Sequence, residues 1–206
     1  MNARVAVSCA LLLVAVPAGE AQVVRHFVVR TAASSNNQTF TFEDESSLTP
    51  AKRLSTFDAG AYAELFPTTH FSLILGAEYQ LRGVGTAVEY FSYQYLERVR
   101  RERKIGYIAV PLLLKYRAEG ETVTPYVLSG PYLGCPVLDS YGESVSSDSW
   151  VVGATIGGGM EIHGLLPTTM MVDVRYMHDL TDTYQIWEDG VDVKGNAFDF
   201  GIGVAF

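Results

Sequence analysis

Apolar and polar residues alternate along most of this chain with a period of two. The last segment shows it most cleanly: Phe198, Phe200, Ile202, Val204 and Phe206 alternate with Asp199, Gly201, Gly203 and Ala205. Successive side chains of a strand point to opposite faces, so this pattern predicts a strand with one apolar face and one small or polar face. The same alternation runs through 57–65, 71–82, 108–116, 126–132, 150–162 and 170–176, and least distinctly through 23–33. It predicts eight strands. No window carries a helical period.

The connections alternate between two kinds. Those at 66–70, 118–121 and 164–168 are tight, whereas those at 34–52, 84–104, 137–149 and 181–194 are long and polar. Short turns on one rim and long loops on the other are the layout of an outer-membrane barrel, with the turns in the periplasm and the loops outside. A soluble barrel has no physical reason to segregate its loops. The expected fold is an all-β, eight-stranded, antiparallel up-and-down transmembrane barrel.

Sidedness decides between lipid and water. The minority face of the strands carries Asp58, Glu64, Glu78, Arg82, Lys115, Glu161, Asp173 and Arg175, with Asp199 on the same parity, while the other face is nearly free of charge. One or two charges of mixed sign per strand suit a packed lumen in which they pair, and a soluble surface usually carries more. In a membrane barrel the apolar face meets lipid and the polar face lines the interior. An eight-stranded barrel is only wide enough for its own side chains or one small ligand, so these residues are expected to form an internal ion-pair network. Tyr62, Tyr79, Tyr107, Tyr116, Tyr126 and Tyr176, with Trp150 and Phe206, lie near strand ends and are expected in the aromatic girdles at the two interfaces.

The N-terminus adds a compartment. Arg4 precedes an apolar run from Val5 to Val16, Pro17 breaks it, and Gly19 and Ala21 are the small residues of a cleavage site. Residues 1–21 read as a secretory signal peptide, too short in its apolar run to span a membrane as a helix, and 22–206 as the barrel domain. Cleavage leaves Cys135 without a second cysteine, so no intrachain disulfide is expected. The net charge of −8 argues against a nucleic-acid surface. At 12% aromatic and 18% charged residues, the chain is not a disordered one.

Few residues suggest chemistry. The four histidines show no metal-ligand spacing, and neither a metal nor a cofactor is expected. His70 and Ser72, with Glu78, form the nearest approach to a hydrolytic triad, but at the turn rim, far from outer-leaflet lipid. His178 and Asp179 read as a rim pair. Gly157, Gly158 and Gly159 lack the context of a phosphate loop and mark a bend or a crossing lumen side chain. Arg98, Arg100, Arg101, Arg103 and Lys104 follow Tyr90, Phe91, Tyr93 and Tyr95 in a near-alternation that suggests an outward hairpin. Its basic rim is suited to lipopolysaccharide phosphates or a partner surface.

The run 107–116, YIAVPLLLKY, followed by 124–134, TPYVLSGPYLG, resembles the central hairpin of the PorT-like group of outer-membrane β-barrel domain proteins of Gram-negative bacteria. The resemblance extends loosely to 75–79 and 200–206. It implies an eight-stranded barrel and does not imply a single activity. The family often has Glu where this chain has Ala109, so Lys115 must find another partner among Glu78, Glu161 and Asp173. The terminal Phe206 is similar to the signal read by the barrel assembly machinery. The expected role is a non-enzymatic envelope protein, in its most specific form a PorT-like secretion-associated component. Rivals are a narrow small-solute channel, a lipid-modifying enzyme and a soluble lipocalin-like carrier.

Overall fold

The computed structural model describes residues 23–41, 53–92, 95–139, 150–164, 168–181, 184–186 and 191–206. The expected signal peptide lies outside the described residues. The strands are β1 Val24–Thr41, β2 Leu54–Leu65, β3 Phe71–Ser92, β4 Tyr95–Arg117, β5 Val123–Asp139, β6 Val151–Ile162, β7 Thr169–Asp179, β8 Tyr184–Ile186 and β9 Val191–Ala205. Every adjacent pair is antiparallel, and β9 pairs back onto β1 from Val28–Ala205 to Thr41–Asp192. The sheet is closed. β8 is a three-residue strand that takes up the edge of β9 at Val193, beyond the point where β7 leaves it at Asn196. The wall is therefore an eight-stranded antiparallel barrel.

Several strands run further than the apolar alternation does. β1 continues to Thr41 instead of stopping near residue 33, β5 reaches Asp139, and β9 begins at Val191. β3 and β4 extend as one hairpin, with Ser92 paired to Tyr95 and Glu89 to Arg98. Backbone pairing needs no regular apolar alternation to continue, so the ladders run past the stretches that the sequence pattern marks. Toward β3 the ladder is interrupted at Pro111, which has no N–H to donate, and toward β5 it is interrupted opposite Gly130 and Pro131. Pairing passes from Leu75–Leu112 to Glu78–Ala109 on one side, and from Pro111–Tyr132 to Leu114–Ser129 on the other.

Local chemistry fixes the short turns. After β2, Phe66 sits at φ 47°. The Thr68 hydroxyl then accepts the Phe71 N–H at 2.9 Å, while the Thr68 N–H donates to the Phe71 carbonyl at 2.7 Å. After β6, Gly164 takes φ 82°, a left-handed conformation that costs glycine little.

The faces sort as the parity requires. Val29, Phe57, Ile156 and Phe200 are each between 55% and 61% exposed and point outward, while Lys115 and Asp179 are 0% exposed and point inward. An apolar band of this extent on the outside of a closed sheet is far larger than a water-soluble monomer carries. It is the lipid-facing surface of a membrane barrel. Three of the expected girdle residues are corrected: Tyr62, Tyr107 and Tyr126 are buried in the lumen. Tyr62 shares parity with Glu64 on β2 and Tyr107 with Lys115 on β4, while Tyr126 shares it with the buried Thr124 and Leu128 on β5, so the period that turns those residues inward turns the rings inward too. Tyr116, Tyr176, Trp150 and Phe206 are on the exterior.

Candidate functional site in the barrel lumen

Lumen space is made by glycine and filled by long side chains. A Cβ on Gly76 would stand 2.5 Å from Tyr62 Cδ1, and one on Gly159 would stand 2.8 Å from Tyr126 Oη. Gly153 lies against the Tyr132 ring in the same way, and Gly201 against the Arg30 guanidinium. The bare backbone at these positions lets rings and guanidinium groups lie flat on the wall. Of the triple glycine, Gly157 and Gly159 yield to Arg175 and Asp173, which is the crossing of lumen side chains that the sequence suggested.

Apart from Asp58 and Asp199, the buried charges among the described residues fall into three groups. Nearest the short turns, Lys115 Nζ donates to Glu64 Oε2 at 3.0 Å and also to Glu161, while Arg117 reaches Glu64 Oε1 at 2.9 Å. In the middle, Arg30 Nη2 lies 2.7 Å from Asp173 Oδ1 and its Nη1 lies 3.1 Å from Glu78 Oε1. Arg175 completes that group at 3.0 Å from Asp173 Oδ2, with its guanidinium 5.3 Å from the Tyr62 ring centroid. Tyr126 donates to the same Asp173 Oδ2 at 3.2 Å. Toward the long loops, Arg82 Nη1 lies 2.6 Å from Asp179 Oδ1, which Tyr132 also engages. Arg82 lies over the Tyr107 and Tyr132 rings at 5.6 and 5.2 Å.

Gln80 links the middle and outer groups. Its Nε2 donates to Glu78 Oε2 at 3.3 Å and its Oε1 accepts from Arg82 Nη2 at 2.6 Å. Such pairs need not add stability, because desolvation offsets much of their attraction. Their larger effect is on specificity, since a register slip would leave several charges buried and alone.

All eight residues expected in the ion-pair network are buried, but they do not act as one unit. Lys115 finds Glu161, one of its three expected partners, and Glu64, which was not among them. Asp58 takes no part in an ion pair among the described residues. Its Oδ1 accepts the Leu81 N–H at 3.2 Å, and it lies in a cluster with Glu78 and Asp199. Arg30, Arg117 and Asp179 belong to the lumen although sequence reasoning passed over them as charge partners. Extending the alternation by one step, from Val28 to Arg30, Lys115 to Arg117 and Met177 to Asp179, would have found each.

The other candidates are placed as follows. His178 and Asp179 are not a rim pair. They occupy opposite faces of β7, with His178 stacked on Tyr176 at 6.5 Å and Asp179 held by Arg82 inside. His70 stacks on Tyr116 at 5.9 Å, and the buried Ser72 hydroxyl has no hydrogen-bond partner, so no triad forms among the described residues. Arg98, Arg100, Arg101 and Arg103 lie on the outer part of β4, paired with β3 between Val84 and Glu89. Lys104 follows them, opposite Gly83. Phe206 directly follows the last strand, exposed, its N–H donating to the Phe27 carbonyl at 2.9 Å. At the short-turn end the lumen opens into a depression of about 750 Å³ bordered by Arg25, Thr68, Arg117, Glu121 and Thr124.

A closed eight-stranded sheet with lipid-facing apolar residues and a charged interior defines a small outer-membrane barrel. The chain belongs to the outer membrane protein beta-barrel domain family, whose pattern matches residues 20–185. No curated protein matches it in sequence. Among solved structures it is similar to Neisserial surface protein A, NspA, at 14% identity and a TM-score of 0.50, over 87% of this chain and 97% of that one. It is also similar to OprG from Pseudomonas aeruginosa, at 14% identity and a TM-score of 0.49, over 89% and 97% of the two chains. Identity this low speaks to the fold alone.

Proposed function

We propose that this outer-membrane barrel is non-enzymatic, that its lumen is sealed by its own paired side chains, and that it serves envelope structure or interaction through its outer hairpins. The completeness of the filling carries this reading. Glu64, Gln80, Tyr107, Lys115 and Glu161 are among the largest side chains with less than 2% of their surface exposed. Little room is left for a substrate in a barrel of this strand number. The unpartnered Ser72 and the distant stacking of His70 favour the non-enzymatic reading over a hydrolase.

The resemblance of the central hairpin to PorT-like proteins supports a secretion-associated role as the more particular version. The basic run from Arg98 to Lys104 suits lipopolysaccharide phosphates, and the barrel assembly machinery is the partner suited to the alternation ending at Phe206. Planar-bilayer recording of the purified, refolded protein tests the sealed lumen, and no steady current is expected. Stable single-channel steps would favour the small-solute channel instead.

A further inference from the structure

We propose that Asp58, Glu78 and Asp199 form an intramolecular site for one divalent, oxygen-seeking cation of the calcium class. The three residues come from β2, β3 and β9, and sequence spacing gives no hint that they meet. One carboxylate oxygen from each lies within 4.8 Å of the others, and all three residues are buried. Calcium takes oxygen ligands at about 2.3–2.6 Å, so oxygens separated by up to twice that distance can share one ion. The donor set holds no nitrogen or sulfur, which selects a hard cation.

Charge balance points to the same place independently. Lys115 and Arg117 meet Glu64 and Glu161, Arg30 and Arg175 meet Asp173 and Glu78, and Arg82 meets Asp179, all of them buried, while the part-exposed Arg25 adds a further contact to Glu64. Among the buried, described side chains of the lumen, Asp58 and Asp199 are the two charges left over. Both carry the same sign, and they face each other across β1, where Asp58 is opposite Ala32 and Asp199 is opposite Ser34.

Asp199 is the more telling of the two. It is 0% exposed, its neighbour Ser34 donates its hydroxyl to Asn36, and no donor stands in hydrogen-bonding geometry to either Asp199 carboxylate oxygen, which has the Asp58 carboxyl close by. An isolated buried carboxylate is among the most costly groups a protein can hold. The guanidinium groups that could relieve it are already engaged, Arg30 with Asp173 and Glu78, and Arg82 with Asp179. A divalent cation cancels the surplus and fills the coordination that the polypeptide leaves open. Glu78 would then serve both its arginine and the ion, tying the cation to the middle group.

The test uses the full barrel refolded in detergent with calcium chloride and then desalted. Metal analysis is expected to find about one calcium ion per folded chain, and a chelator is expected to lower the thermal unfolding temperature. Asp199→Asn should lose the bound calcium and the response to chelator together. A folded wild-type barrel that retains no calcium and unfolds at the same temperature with and without chelator overturns the proposal, leaving the two carboxylates neutralised by protons. Calcium retained unchanged in folded Asp199→Asn overturns it as well. Should that variant fail to fold, the wild-type metal content and chelator response decide the matter.

Discussion

Arg82 on β3 and Asp179 on β7 meet inside the barrel, 2.6 Å apart, with β4, β5 and β6 between them along the wall. The pair spans the lumen and both members are buried. Removing one partner leaves the other as an uncompensated charge. Asp179→Asn alone is expected to destabilise the barrel by about 3–5 kcal/mol. Adding Arg82→Met to it should recover most of that loss. Urea unfolding in phospholipid vesicles, run as a double-mutant cycle, measures both. Equal loss in the single and double variants would contradict the pairing.

Parity can be tested on adjacent glycines. A Cβ on Gly159 would collide with the Val172 carbonyl and stand 2.8 Å from Asp173 Cβ, whereas one on Gly158 meets its nearest atom, the Tyr126 carbonyl, at 3.1 Å. Gly159→Ala is expected to cost about 1–3 kcal/mol by overpacking the lumen wall, and Gly158→Ala clearly less. The same unfolding assay ranks the two.

The lipid-facing side is tested at Leu112, which points outward from β4. Leu112→Arg is expected to cost about 2–4 kcal/mol, the cost of an arginine on the lipid face. Heat-modifiability on a gel reads the fraction folded, and wild-type folding of that variant would place the face in water.

Two buried tyrosines give a further contrast. Tyr126 donates to Asp173 at 3.2 Å, whereas the Tyr62 hydroxyl has no partner. Tyr126→Phe should therefore lose about 1.5–3 kcal/mol, the range for a hydrogen bond to a charged group, and Tyr62→Phe should be nearly neutral. Reversal of that order in equilibrium unfolding would show that the hydroxyl partners are misassigned.

The period-two pattern made the wall legible, and with it the inward direction of the eight charged side chains expected in the lumen, though not that of Arg30, Arg117 and Asp179. Phe200 outside and Asp199 inside followed from one alternation. Three things did not follow. Strand length was hidden because the outer stretches of β3 and β4, with Gly85 opposite Glu102, pair through the backbone beyond the alternation that marks the wall. The lumen tyrosines were hidden because a ring near a strand end suits either an interface or a glycine-lined pocket, and only the opposing glycine decides. Pairing partners were hidden because strand tilt and stagger carry Arg30 to Asp173, 143 residues along the chain. Alternation gives a residue's side, and register gives its neighbour.

The seam between β1 and β9 joins Val28 to Ala205, the two ends of the described sheet. Until that zipper shuts, each growing ribbon presents two raw borders, either of which could recruit a stray strand from another molecule. Contacts this distant in the chain form late and slowly. Maturation should accordingly be abrupt at its last step, with half-joined forms short-lived or else diverted into aggregates.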